Sequence, residues 1–151
     1  MIRPAAPGEW PAVLALVGAS GLPTADLTPE HVGAFWVARG ASGEVAGCVG
    51  IETYGHHGLL RSLAVSPEAR GQGLGGALVD AALGRAAERG IRRLVLLTTT
   101  AEDFFQRRGW APIARVALPL AVQQSSEFTG GCCASAVCLG REVPTAEGEP
   151  E

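Results

Sequence analysis

The feature that most constrains this chain is a glycine-rich segment, Arg70-Gly71-Gln72-Gly73-Leu74-Gly75-Gly76, set between an apolar run and an amphipathic one. Upstream, Leu59 to Val65 (LLRSLAV) has the composition of a strand buried on both faces, interrupted only at Arg61 and Ser62. Downstream, Leu74, Leu78, Ala81 and Ala82 fall on one helical stripe with Val79, Leu83 and Ala86 beside it, and Gly90 supplies the stop. Arg85 and Arg89 suit the carboxyl end of that helix. Ile91 to Thr98 (IRRLVLLT) then reads as a second buried strand. Strand, glycine turn, helix and strand make a βαβ unit whose right-handed crossover sets the two strands parallel, so the fold class is α/β.

Unpaired backbone N–H groups and the helix dipole converge at such a turn, which suits an anion. Glycines let the backbone approach phosphate oxygens with no side chain between, and Arg70 adds charge at the rim. Three readings follow. The glycines could serve only to turn the chain. They also match G-x-G-x-x-G at Gly71, Gly73 and Gly76, the dinucleotide fingerprint. That motif needs a carboxylate ending the next strand, and this one ends Leu96-Leu97-Thr98-Thr99-Thr100. The third reading is a diphosphate cradle of another kind.

Elsewhere, Trp10, Val13, Leu14 and Val17 predict a helix over Trp10 to Ala19. Thr28, Pro29 and Glu30 open a second short one. Ala34 to Ala38 and Glu44 to Tyr54 form a hairpin, and Gly55-His56-His57-Gly58 is the next turn. Thr100 caps a helix through Arg108, with Asp103 three residues on and Gly109 as its stop. Strands follow from Trp110 to Ala117 and from Ala134 to Arg141, separated by a helical turn at Pro119 to Ser125.

The chain has 151 residues, 47% hydrophobic and 18% charged, enough for one domain with one core. Twelve basic against 15 acidic side chains give a net charge of −3, which excludes the positive field that nucleic-acid backbones require. No apolar run approaches the roughly 18 residues of a membrane span, and the start does not read as a secretory signal, so a cytoplasmic location is expected. Every basic residue is Arg, which removes lysine-based Schiff-base or phosphate-loop chemistry. Cys48, Cys132, Cys133 and Cys138 are too few and too clustered for a disulfide framework. The last three invite a soft-metal or trivalent-arsenic site, but no C-x-x-C pair accompanies them, and the expectation is no metal. Pro144 to Glu151 is acidic with no apolar residue beyond a single Ala, and residues 143–151 read as a disordered tail after a domain of residues 1–142.

Arg70-Gly71-Gln72-Gly73-Leu74-Gly75, after Leu63-Ala64-Val65 and the Ser66-Pro67-Glu68 turn, resembles the acetyl-CoA pyrophosphate loop of the GCN5-related N-acetyltransferases. The likeness spans roughly residues 2–141. Leu96 through Trp110 is similar to the acetyltransferase domain of N-acetylglutamate synthases. Gly58 to Val65, Glu127-Phe128 and Cys132 through Ala136 are similar to a branch associated with arsenic-resistance operons. The resemblance implies a mixed, mostly antiparallel central sheet flanked by helices and splayed at a parallel strand pair. It implies acetyl-CoA as co-substrate, with Arg70, Gly71, Gln72, Gly73, Leu74, Gly75 and Gly76 on the pyrophosphate. Leu63, Ala64 and Val65 would lie along the pantetheine arm and Phe105 against its thioester end, with an oxyanion donor at a bulge near Leu63.

Acetyl transfer to an amine requires loss of a proton, stabilisation of the oxyanion and departure of a thiolate. Many family members carry a Tyr as the acid where this chain has Phe105, which has no proton to give. Ser62, Ser135, Cys133, Tyr54 and solvent are the remaining candidates. Glu52, a carboxylate in an apolar strand, is the expected base, acting through water with a pKa raised by burial. It could instead face solvent or pair with Arg61, while His56 and His57 sit in an exposed turn. Arg61 inside an apolar strand demands a partner, either an internal carboxylate such as Glu52 or the substrate's anionic group. A guanidinium takes carboxylate, phosphinate or arsonate bidentately. The substrate class is therefore an amino acid or its arsenic or phosphorus analogue, with Tyr54 and Glu127 also offered to it. A homodimer is compatible with this reading. The rival from another class is a non-catalytic acyl-CoA-binding protein or cysteine-based arsenic sensor.

Overall fold

A computed structural model describes residues 2–129 and 136–144. The elements are β1 (Ile2–Pro4), α1 (Trp10–Ala19), β2 (Phe35–Arg39), β3 (Val45–Tyr54), β4 (His57–Val65), α2 (Leu74–Glu88), β5 (Arg93–Thr98), α3 (Glu102–Gln106), β6 (Ala111–Pro112), α4 (Leu120–Gln123), α5 (Ser126–Thr129) and β7 (Val137–Glu142). The seven strands run in the order β1-β2-β3-β4-β5-β7-β6. Pairing is antiparallel for β1 with β2, β2 with β3, β5 with β7 and β6 with β7, and parallel for β4 with β5. This is the mixed, mostly antiparallel α/β sheet that the βαβ pattern and the resemblance imply.

The chain divides into two compact units. The first holds Met1–Ile51 and Leu60–Leu83. Its core gathers Trp10, Val13 and Val17 from α1 with Leu27, Phe35, Val37, Cys48 and Ala64. Trp10 meets Phe35 edge-to-face at 5.5 Å. Gly47 lets α2 onto the sheet, since a Cβ there would stand 2.9 Å from Leu78 Cδ1 and 3.2 Å from Leu74 Cδ2. Gly50 does the same for the Phe35 ring, 2.8 Å from the position a Cβ would take. In α2 the buried residues Leu78, Val79, Ala82 and Leu83 belong to the stripe expected from sequence.

The second unit holds Glu52–Leu59 and Gly84–Glu151. Its core is Leu59, Val95, Leu118, Val122, Phe128 and Cys138. The parallel register matches His57, Gly58 and Leu59 with Arg93, Leu94 and Val95. Across β5, β7 pairs from Arg93↔Glu142 to Thr98↔Val137.

Several local expectations are corrected. Thr100 does not cap α3. Ala101 stands at that position, and its N–H donates to Thr98 Oγ1 at 3.0 Å. The strand expected over Trp110 to Ala117 stops at Pro112. Pro112 brings no N–H to a ladder, and the chain then turns through a 3₁₀ segment at Arg115–Ala117. Arg61 and Ser62 do not interrupt the burial of β4. They are 3% and 8% exposed, both buried like the leucines before them. The acidic tail expectation concerns residues of which all but Val143 and Pro144 lie outside the described set.

Candidate functional site

The middle of β4 has a conformation that its composition does not announce. Ser62 has φ 59°, a left-handed backbone and the one non-glycine residue of that kind among those described. Such a conformation costs an L-residue about 1–2 kcal/mol, so the surroundings must hold it. They do so on two sides. Arg61 Nε donates to Ser62 Oγ at 3.2 Å, and Cys48 Sγ donates to the Ser62 carbonyl at 3.4 Å. Burial pushes the Cys48 thiol up to about 12, so it remains a protonated donor at neutral pH.

Arg61 itself is gripped bidentately. Its Nη1 donates to Asp26 Oδ2 at 2.5 Å and its Nη2 to Asp26 Oδ1 at 3.0 Å. The pair is asymmetric, with the Arg61 side chain 1% exposed and that of Asp26 24%. Asp26 stands in a turn closed by Leu27 N–H to the Thr24 carbonyl at 3.0 Å, and Leu27 is anchored in the first core. An internal carboxylate that meets Arg61 is thus Asp26, which the sequence did not single out. Sequence reasoning missed Asp26 because a buried arginine announces a partner without naming it, and Asp26 is one of 15 acidic residues.

Downstream, Ser66 N–H donates to the Ala46 carbonyl at 2.8 Å, tying the end of β4 to β3. A 3₁₀ turn at Pro67–Ala69 leads to the glycines. Gly71 and Gly73 have φ 80° and 79°, and a Cβ at either would meet nothing within 4 Å. The constraint there is therefore conformational, and the space above the backbone is open. The Ala77 N–H donates to the Gly73 carbonyl at 3.1 Å. In the turn before it, the amides of Leu74, Gly75 and Gly76 have no acceptor within the helix, by helix geometry. Arg70 Nε donates to the Val65 carbonyl at 3.1 Å, which folds the side chain back along the strand end. Gln72 is exposed beside it. Open glycine backbone, helix N-terminal amides and a rim guanidinium fit a diphosphate chemically.

In the second unit, Tyr54 Oη donates to Glu52 Oε1 at 2.7 Å, and both side chains are half-buried. His56 Nδ1 lies 3.2 Å from the Gly90 carbonyl. Burial, the Arg93 charge and His56 hold the His57 imidazole below its ordinary value against the opposing pull of Glu142. His56 thus sits in a contact that braces the turn, while the buried His57 Nε2 has no hydrogen-bond partner. Phe105 is 4% exposed and stacks edge-to-face on Phe104 at 5.0 Å and Trp110 at 5.3 Å. Glu127 occupies the first turn of α5. Burial raises the Cys138 thiol, an effect that Arg115 opposes. Cys132, Cys133 and Ser135 lie outside the described residues. Among those described, no cluster of three metal-ligating side chains occurs and no helix is long and apolar enough to cross a membrane.

Residues 9–110 match the family model described as Acetyltransferase (GNAT) family. A stretch of 87 residues is 37% identical to an amino-acid acetyltransferase of Mycobacterium tuberculosis, covering 56% of this chain and 49% of that protein. Another of 91 residues is 36% identical to an uncharacterized N-acetyltransferase of Chlorobaculum tepidum, covering 60% of this chain and 57% of that protein. The match thus spans about half the length of these curated relatives. Among solved structures, N-acetylglutamate synthase from Neisseria gonorrhoeae, complexed with coenzyme A and N-acetyl-glutamate, superposes with a TM-score of 0.83 at 26% identity. That match covers 95% of this chain and 35% of the synthase.

Proposed function

The chain belongs to the acetyltransferase (GNAT) family, and from that premise we propose that it moves the acetyl group of acetyl-CoA to the primary amine of a small molecule. The acceptor class is an amino acid or an arsenic- or phosphorus-containing analogue of one. The observation that carries the reading is the glycine turn, where Gly71 and Gly73 take left-handed backbone with open space above them at the start of the 15-residue α2. The amino-acid acetyltransferase and N-acetylglutamate synthase relatives support the acceptor class.

Each residue then has an assigned task. The amides of Gly71 to Gly76 and the Arg70 guanidinium hold the diphosphate. Main-chain groups of Leu63, Ala64 and Val65 line the arm, and the Leu63 amide, next to the left-handed Ser62, donates to the thioester oxygen. The cofactor supplies a thioester activated towards attack by a neutral amine. Glu52 takes the amine proton through water, oriented by the Tyr54 hydroxyl at 2.7 Å. Phe105 packs the thioester end and supplies no proton. Ser62 is the candidate acid, because its Oγ accepts from Arg61 Nε and its own proton is directed away from the guanidinium. Glu127 is the candidate partner of the acceptor's ammonium. A carboxylate on the acceptor reaches the Arg61 fork only in exchange for Asp26.

The test is calorimetry with coenzyme A, followed by thiol release from acetyl-CoA against a panel of amino acids and their arsenic and phosphinic analogues. Expected are coenzyme A binding and amine-dependent release with at least one member of the panel. Binding with no amine-dependent release would leave an acyl-CoA-binding module, and no binding would end the reading.

A further inference from the structure

We propose that Asp26 is a positioning residue for acetyl transfer, holding the left-handed bulge at Ser62 in register through Arg61. This rests on the reading above, in which the amide after Ser62 serves the thioester oxygen. The chain of contacts is continuous. Leu27 anchors the turn that carries Asp26, Asp26 grips both terminal nitrogens of Arg61, and Arg61 Nε holds Ser62 Oγ. From the other side Cys48 holds the Ser62 carbonyl.

Two observations separate this arrangement from an ordinary ion pair. All three guanidinium nitrogens are engaged, which fixes the orientation of the fork and so of Nε. The group it orients is a strained, buried serine, whose conformation persists only where neighbours over-determine it. Relaxing Ser62 would rotate the peptide that joins it to Leu63, re-aiming the amide. A lysine at position 61 could not replace the device, since an ammonium cannot grip a carboxylate bidentately and hold a third acceptor in the same plane. Asp26 thereby acts on the reaction without touching the reacting atoms.

The experiment uses the full chain with Asp26→Asn, Asp26→Glu and Cys48→Ala, the last being a mild change that removes only one of the two holds. Three quantities are read: hydrogen exchange of the Leu63 amide by NMR, coenzyme A affinity by calorimetry, and the separate kcat and KM values. In Asp26→Asn the Leu63 amide should exchange at least about tenfold faster and kcat should fall on the order of tenfold. Coenzyme A affinity and the amine KM should both stay within about twofold, because the glycine turn is untouched. Asp26→Glu should recover part of the kcat, and Cys48→Ala should show a smaller change in the same direction. Unchanged Leu63 exchange in both Asp26→Asn and Cys48→Ala would overturn the inference. A rise in amine KM at constant kcat would also overturn it, marking Arg61 as the acceptor's own fork. If the unaltered chain bound no coenzyme A, the functional reading would fall while Leu63 exchange still decided whether the clamp exists.

Discussion

Two left-handed stretches lie on the same segment of chain and are built in opposite ways. At Gly71 and Gly73 the backbone takes positive φ with no neighbour within 4 Å of where a Cβ would stand. At Ser62 it takes positive φ in the interior, with Arg61, Asp26 and Cys48 holding it. The first is free because glycine pays no steric cost there and solvent lies above it. The second is costly and is held by side chains from three separated parts of the chain. An exposed left-handed turn can be built by removing side chains. A buried left-handed residue has to be clamped by adding them.

Asp26→Ala tests that contrast hardest. It removes the bidentate partner of a guanidinium 1% exposed, and should cost about 3 kcal/mol in denaturant unfolding. Arg61→Met, which leaves behind a carboxylate already 24% exposed, should cost only about 1 kcal/mol. Equal costs would show that the asymmetry of burial does not govern the pair. Gly73→Val should weaken coenzyme A by about 100-fold in calorimetry, since a β-branched residue resists φ 79°. Affinity within a few-fold of the unaltered chain would separate the turn from the diphosphate.

Cys48 links the clamp to pH. Its thiol is raised from 9.0 to about 12, so the folded state keeps a proton that the unfolded chain loses. That stability is complete below about pH 9 and is lost as pH rises towards the folded value, on the order of 1 kcal/mol by about pH 10. Cys48→Ala should flatten this alkaline slope in thermal melts. The smallest effects come from exchanging the two designs. Gly71→Ala should cost about 1 kcal/mol. Ser62→Gly should change stability by less than about 1 kcal/mol, because relief of the backbone offsets the lost Oγ bond and the added chain entropy.

The βαβ unit was legible because its signals are local. The stripe from Leu74 to Ala86 repeats at helical spacing, and Gly90 and Gly109 mark ends at φ 78° and 92°. The Thr100 cap and the strand beyond Pro112 were misread because neighbours within a few residues compete there. Thr98 reaches the amide first, and Pro112 removes a ladder donor. Arg61 was legible as a charge needing a partner, yet Asp26, which grips it bidentately, lies 35 residues away in sequence.

From composition and spacing alone came the α/β class, the parallel crossover and the glycine turn that opens a helix, because periodicity and the missing Cβ act over a few residues. Tertiary structure alone decided that Asp26 grips Arg61, that Cys48 meets the Ser62 carbonyl and that Ser62 is left-handed. Those outcomes depend on which distant groups are enclosed together, and the cost of burying a charge or straining a backbone is met only by partners that folding brings near.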